Sequence, residues 1–157
     1  MPSKKLKEFL DNNKIKFLSI QHSKAYTSTE IAASAHIPGK ELAKTVLVKL
    51  DGKMVMAVIP ASHKLKLELL QKAAGVKSVR LATEAEFKDK FPDCEVGAMP
   101  PFGNLYNMEV FASDKLEEDE EIAFNAGTHT ELIKLAYKDF ERLVNPKKTS
   151  ISIQSKL

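Results

Sequence analysis

Apolar positions along the chain follow two periods, and each predicts elements. Leu6, Phe9 and Leu10 recur at helical spacing behind Ser3, a residue type suited to capping, so residues 4–12 predict an amphipathic helix. Asn12-Asn13 stops it, and Phe17-Leu18-Ser19-Ile20 predicts a short strand. Thr27 and Ser28 precede Ile31-Ala32-Ala33, with Glu30 three residues after Thr27, the pattern of a capping box opening a second helix that Pro38-Gly39 ends.

The clearest unit comes next. Thr45–Leu50 and Met54–Ile59 are β-prone runs across Asp51-Gly52, a dipeptide that accepts the positive φ angles of a tight hairpin turn. Both runs are nearly continuous in apolar residues, which predicts at least one strand covered on both faces. Pro60 closes the hairpin. Leu65, Leu67, Leu69 and Leu70 through Ala74 predict a helix with Gly75 just past its end. Val79-Arg80-Leu81 predicts a strand, and Thr83 with Glu86 a second capping box, its helix stopped by Pro92. Residues 93–107 carry Gly97, Pro100, Pro101, Gly103 and Asn104 and predict a loop. Strands near Glu109–Ala112, Ile122–Asn125 and Leu132–Ala136 follow, the first two separated by the acidic turn Asp114–Glu121, and a last helix spans about Lys138–Val144. Irregular alternation with at least one hairpin implies an α+β domain: a mixed, largely antiparallel sheet with helices packed against it, over residues 1–146. Residues 147–157 are polar and predict a flexible tail.

Composition narrows the class. The chain has 157 residues, the length of one domain at roughly 150 residues each, and 43% are hydrophobic, enough to build a core. No apolar run approaches the roughly 20 residues of a bilayer span, and Met1–Lys5 leads into no signal-type apolar core. One cysteine, Cys94, leaves no internal disulfide and no multi-cysteine zinc site, so the expected compartment is the reducing cytoplasm. The net charge of +3 is unevenly spread: residues 1–80 hold fifteen Lys/Arg against six Asp/Glu, the remainder nine against fifteen. The basic half could attract a polyanion, but 22 of the 24 cations are lysines, as on an ordinary solvated surface.

The chemistry is narrowed mostly by what is missing. No G-x-x-x-x-G-K-[ST], G-x-G-x-x-G, H-E-x-x-H or G-x-S-x-G occurs, so readings as a nucleotide-dependent enzyme, a metalloprotease or a common serine hydrolase lose local support. His22, His36, His63 and His129 lack metal-type spacing. Cys94 lies between Asp93 and Glu95, whose charges would raise its pKa, so it reads as a small buried side chain and not as a nucleophile.

Three segments remain. Gly97-Ala98-Met99-Pro100-Pro101-Phe102-Gly103 is stiffened by two prolines and bared by glycine; it is either a rigid structural turn or a loop whose N–H groups approach a ligand, as an oxyanion requires. Lys44 precedes the apolar strand, either as a strand-end lysine facing water or at the mouth of a site. Asn125-Ala126-Gly127-Thr128-His129 is either an ordinary hairpin connection or a small-residue turn beside that site.

Taken in order, several segments resemble the YbaK/prolyl-tRNA-synthetase-associated editing domain family over roughly residues 15–145. They are Thr27-Ser28-Thr29-Glu30, Leu42–Lys49, Ala57-Val58-Ile59-Pro60, Ala74-Gly75-Val76 with Val79–Ala82, Gly97–Gly103 and Asn125-Ala126-Gly127. The resemblance implies a partly barrel-like sheet and hydrolysis, in trans, of the ester joining a wrong amino acid to the 3′ ribose of a tRNA. It also implies no metal, no cofactor and no protein nucleophile. The family's lysine falls on Lys44 and its Gly-x-x-x-Pro loop on Gly97 to Pro101. A substrate pocket would then also draw on His22, Thr45, Ala98, Met99, Pro100, Pro101, Gly127 and His129. The implied partner is an aminoacyl-tRNA, with tRNA-Pro carrying a small wrong amino acid as one candidate and an aminoacyl-tRNA synthetase as a second partner; neither membrane nor DNA is implied. Phe91–Val96 departs from the family's usual segment. Thr128–Glu131 lacks the Gly-Lys/Arg-Gly run of the cysteinyl-tRNA deacylase members, with no aspartate at Leu132. The alternative is a non-catalytic module of the same fold that binds a small ligand or a synthetase. A sequence-independent RNA binder is weaker, because aromatic content is 7% with no tryptophan for base stacking.

Overall fold

A computed structural model describes residues 4–22 and 38–154. The helix expected behind Thr27 lies outside the described residues, as does Ser3. Within them the chain is α+β. Helix α1 (Lys4–Asn12) is followed by β1 (Phe17–Gln21), the hairpin β2 (Ala43–Leu50) and β3 (Lys53–Pro60), and a short β4 (His63–Leu65). Then come α2 (Leu67–Ala74), β5 (Val79–Leu81), α3 (Glu84–Phe87), β6 (Val110–Ser113), β7 (Glu121–Asn125), β8 (Glu131–Ala136), α4 (Tyr137–Val144), β9 (Lys147–Thr149) and β10 (Ser152–Gln154).

The local chemistry explains most boundaries. Asp51 and Gly52 both have positive φ, +48° and +84°, so Leu50 faces Lys53 and the hairpin register is fixed. Gly75 takes the left-handed conformation and ends α2, and Thr83 and Glu86 form the reciprocal capping box. The acidic segment after β6 winds into a 3₁₀ helix over Asp114–Glu118, with the Ser113 hydroxyl accepting the Lys115 N–H. Three elements differ from the sequence reading. His63–Leu65 is a strand because β10 pairs with it, so the helix expected from Leu65 begins at Leu67; Lys147–Thr149 and Ser152–Gln154, expected in a flexible tail, run parallel to β6 and antiparallel to β4.

The strands form a five-stranded sheet in the order β5-β2-β3-β6-β9, a three-stranded sheet β1-β8-β7, and the β10-β4 pair. Among the described residues the first two meet at one parallel bridge, Leu42 to Ala123. The result is a sheet wrapped partly around its core. That core holds Phe102, Phe124 and Phe140, all fully buried, with Met56, Val58 and Ile133. Phe102 is central, with ring centroids 5.4 Å from Phe124 and 5.8 Å from Phe140. Seven of the eight residues of β3 are buried, because α1 and the three-stranded sheet cover one face while α2 covers the other. Glu131 joins these layers: it is 4% exposed, accepts from the Ser19 hydroxyl and lies 3.6 Å from the Lys7 ammonium.

Candidate functional site

Strand alternation decides where Lys44 goes. Ala43 and Leu47 face the main core, whereas Lys44 follows Val46, Val48 and Leu50 to the opposite face. There it is half-buried, opposite Ile59, and lines a cavity of about 340 Å³ with Val46, Ile59, Lys64, Leu65 and Leu67. Burial lowers its pKa from the ordinary lysine value, since an ammonium loses solvation there. Thr45 faces inward, and its hydroxyl is enclosed without a hydrogen-bond partner among the described residues.

The glycine loop begins with a tight turn. Ala98 N–H donates to the Glu95 carbonyl at 3.0 Å, and Gly97 at the third position has φ +86°. Val96 is not among the positive-φ residues, so this is a type II turn, whose third position favours glycine. The turn is held against the end of β7: Glu95 N–H donates to the Gly127 carbonyl at 2.8 Å, and Gly127 N–H to the Ala98 carbonyl at 2.9 Å. Ala98, Met99, Pro100 and Pro101 are buried behind it, Met99 in the main core. Gly97 itself is exposed, and no hydrogen bond among the described residues uses its N–H.

His129 lies beneath this turn, 5% exposed. Its Nε2 is 2.8 Å from the Val96 carbonyl oxygen, and its backbone N–H donates to Glu95 Oε1 at 2.8 Å. A Cβ on Gly97 would sit 3.5 Å from its Cε1. His22 stands at the end of β1, its N–H donating to the Thr130 carbonyl.

Strand β7 connects these parts. At Ala123 it bridges Leu42, and at Gly127 the chain beyond it holds the turn. Two residues past the bridge on both chains are Lys44 and Asn125, which therefore leave the same face as Leu42, Ala123, Leu132 and Ile20. Asn125 Oδ1 is enclosed there without a partner among the described residues. In the sequence Asn125 stands out only as part of a small-residue turn, and Glu95 only as a neighbour of Cys94 in the segment Phe91–Val96. No local signal marks Glu95, whose partner His129 lies 34 residues away.

The Cys94 thiol is pushed up to about 12, first by burial and then by Asp93, partly offset by the Tyr106 hydroxyl. The direction matches expectation; the leading cause is burial and not the acidic neighbours. Among the described residues no three of His, Cys, Asp and Glu gather as metal ligands would, and no helix is long and apolar enough to cross a membrane.

Known proteins resemble this chain in both sequence and fold. The chain is 32% identical over 109 residues to the multifunctional Ser/Thr-tRNA deacylase ProXp-y of Escherichia coli K12, covering 66% of this chain and 65% of that protein. It is 28% identical over 83 residues to proline--tRNA ligase of Bacillus mycoides KBAB4, covering 53% of this chain but 14% of the ligase. Its fold matches the crystal structure of hypothetical protein APE2540 with a TM-score of 0.85 at 21% identity, covering 96% of this chain and 100% of that one. It also matches a protein described as a candidate trans-editing enzyme for prolyl tRNA synthetase, at TM-score 0.81 and 16% identity, over 98% and 97% of the two chains. The aminoacyl-tRNA editing domain matches residues 22–143, most of the sequence, and the chain belongs to that family.

Proposed function

We propose that the protein is a trans-acting deacylase that hydrolyses the ester of mischarged tRNA in the cytoplasm, without metal, cofactor or protein nucleophile. The observation that carries this reading is the outward Gly97 N–H, unused among the described residues, held just past the C-terminal end of β7, together with the half-buried Lys44 ammonium that the Leu42–Ala123 bridge sets beside that same end.

The chemistry asks little of the protein. An aminoacyl ester is already activated, so one well-placed donor and correct positioning carry much of the rate. In this mechanism the Gly97 N–H receives the charge that develops on the ester carbonyl oxygen. Lys44 holds a ribose or phosphate oxygen. A water attacks the carbonyl carbon, either directly or after the neighbouring 2′-hydroxyl has taken over the acyl group. The ester C–O bond breaks, the ribose oxygen leaves with a proton, and the amino acid departs as its carboxylate. Cys94, with its thiol near 12, supports a route without a protein thiolate. Discrimination by pocket size separates amino acids differing by one methylene by only about 1–3 kcal/mol, which is why a second sieve is useful.

The test is a panel of mischarged tRNAs, with tRNA-Pro bearing small amino acids included. Release of at least one amino acid with multiple turnover, well above the buffer rate, is expected. Binding with no hydrolysis of any ester would favour the non-catalytic module instead.

A further inference from the structure

We infer that His129 is a positioning residue: its ring locks the Val96–Gly97 peptide in the orientation that turns the Gly97 N–H out of the loop. The chemical use of that N–H rests on the deacylase reading above; the lock itself rests on the geometry of the turn.

Type I and type II turns differ by a flip of their central peptide, which here joins Val96 to Gly97. Glycine at the third position accommodates either sign of φ, so the backbone alone sets that flip weakly. The Val96 carbonyl, however, accepts a hydrogen bond from His129 Nε2 at 2.8 Å. A carbonyl can only accept, so Nε2 carries the proton. Because the peptide is trans, the Gly97 N–H points away from that carbonyl, toward the exposed side of the turn. The same hydrogen bond polarises the peptide and strengthens its N–H as a donor.

The ring is itself fixed. It is 5% exposed, its backbone N–H is taken by Glu95, and Glu95 N–H is taken by Gly127, so turn and ring hold each other. Flipping the peptide would break the His129 bond and turn the Val96 oxygen, an acceptor, toward the developing oxyanion. The Ala98 N–H cannot take its place, since it is spent on the Glu95 carbonyl. With Nε2 committed to Val96, that nitrogen acts on the peptide and not directly on substrate.

The test compares wild type with His129→Gln, whose amide can still donate, and with His129→Leu and His129→Asn, which cannot reach or cannot donate. Thermal melts select the variants that fold. The probe is a phosphonate analogue of an aminoacyl-adenosine ester, followed through the Gly97 amide proton by NMR, and turnover of mischarged tRNA is measured alongside. In wild type and His129→Gln the Gly97 amide moves downfield on saturation, and kcat agrees within about tenfold. In His129→Leu or His129→Asn the amide does not respond and kcat falls by about 100-fold with KM unchanged, the scale of losing one oxyanion donor. Wild-type response and kcat in those variants would overturn the inference, as would a wild-type Gly97 amide that no probe concentration moves. Failure of the deacylase reading registers separately, as absent turnover by wild type whatever the amide does.

Discussion

Leu42 and Ala123 form a single parallel bridge, backed by the Ala123 N–H donating to the Glu41 carbonyl at 2.9 Å. Through that one rung the two main sheets become continuous. It sets Lys44 and Asn125 on a common face while the chain beyond β7 grips the Glu95–Ala98 turn. The proposed chemistry depends on this connection more than on any single side chain.

Lys44 gives the first prediction. Burial lowers its pKa, so the ammonium deprotonates at a pH below that of a free lysine. Deacylation corrected for buffer hydrolysis is expected to fall as pH rises through that lowered value. Lys44→Arg, whose guanidinium stays charged, should keep its own rate to higher pH. Parallel alkaline limbs in the two proteins would contradict the role given to the ammonium.

The core gives the second. Phe102 is fully buried among Phe9, Phe124 and Phe140, and truncating it to alanine should cost about 3–5 kcal/mol in urea unfolding. Its neighbour Gly103 has no room for a side chain: a Cβ would stand 2.5 Å from the Met108 carbonyl oxygen and 2.6 Å from Val110 Cγ2. Gly103→Ala should therefore destabilise by about 1–3 kcal/mol, although the substitution adds one methyl group. A neutral outcome at either position would mean the loop packs differently.

How far the sequence revealed these features follows from the range of the interactions. The β2–β3 hairpin is legible because Asp51-Gly52 settles it within two residues. The α2 stop at Gly75 and the Thr83–Glu86 box are equally local. Strand β4 is not legible: Leu65, Leu67 and Leu69 fit period two or a helix, and the deciding partner, Gln154 opposite His63, lies at the far end of the chain. Lys147–Thr149 looks like tail because its backbone partner β6 supplies what its own polar side chains do not. In the site, Lys44 and the Gly97 bend stand out through glycine, proline and an apolar strand. The Glu95–His129–Val96 contacts do not, since they form only when two loops meet.

Glu131 gives the third prediction. Its carboxylate is enclosed, accepts from the Ser19 hydroxyl and lies 3.6 Å from Lys7. Removing one partner of a fully enclosed pair costs roughly 3–5 kcal/mol, but Lys7 remains partly solvated, so Lys7→Met should cost only about 1 kcal/mol. Glu131→Ala should cost more, because it empties an enclosed site and removes the contacts to both Lys7 and Ser19. Equal losses in calorimetry would argue against the Ser19 contact.

Cys94 gives the fourth. With its thiol at about 12, the folded protein should resist alkylation at pH 8, where a thiol in the unfolded chain reacts. The linkage has a definite sign: a group raised on folding contributes stability below its unfolded pKa and loses it as pH rises toward the folded value. Cys94→Ser should therefore differ least from wild type in the most alkaline melts, between roughly pH 9 and 12. Rapid native labelling at pH 8 would contradict the burial described here.

Single-turnover deacylation of whichever mischarged tRNA the panel identifies, with wild type and Lys44→Ala side by side, tests the central claim most directly. A loss of about 100-fold in a variant that melts at the wild-type temperature is the predicted result, in line with removing one positioned group from a site of this kind. Equal rates in the two proteins would contradict it.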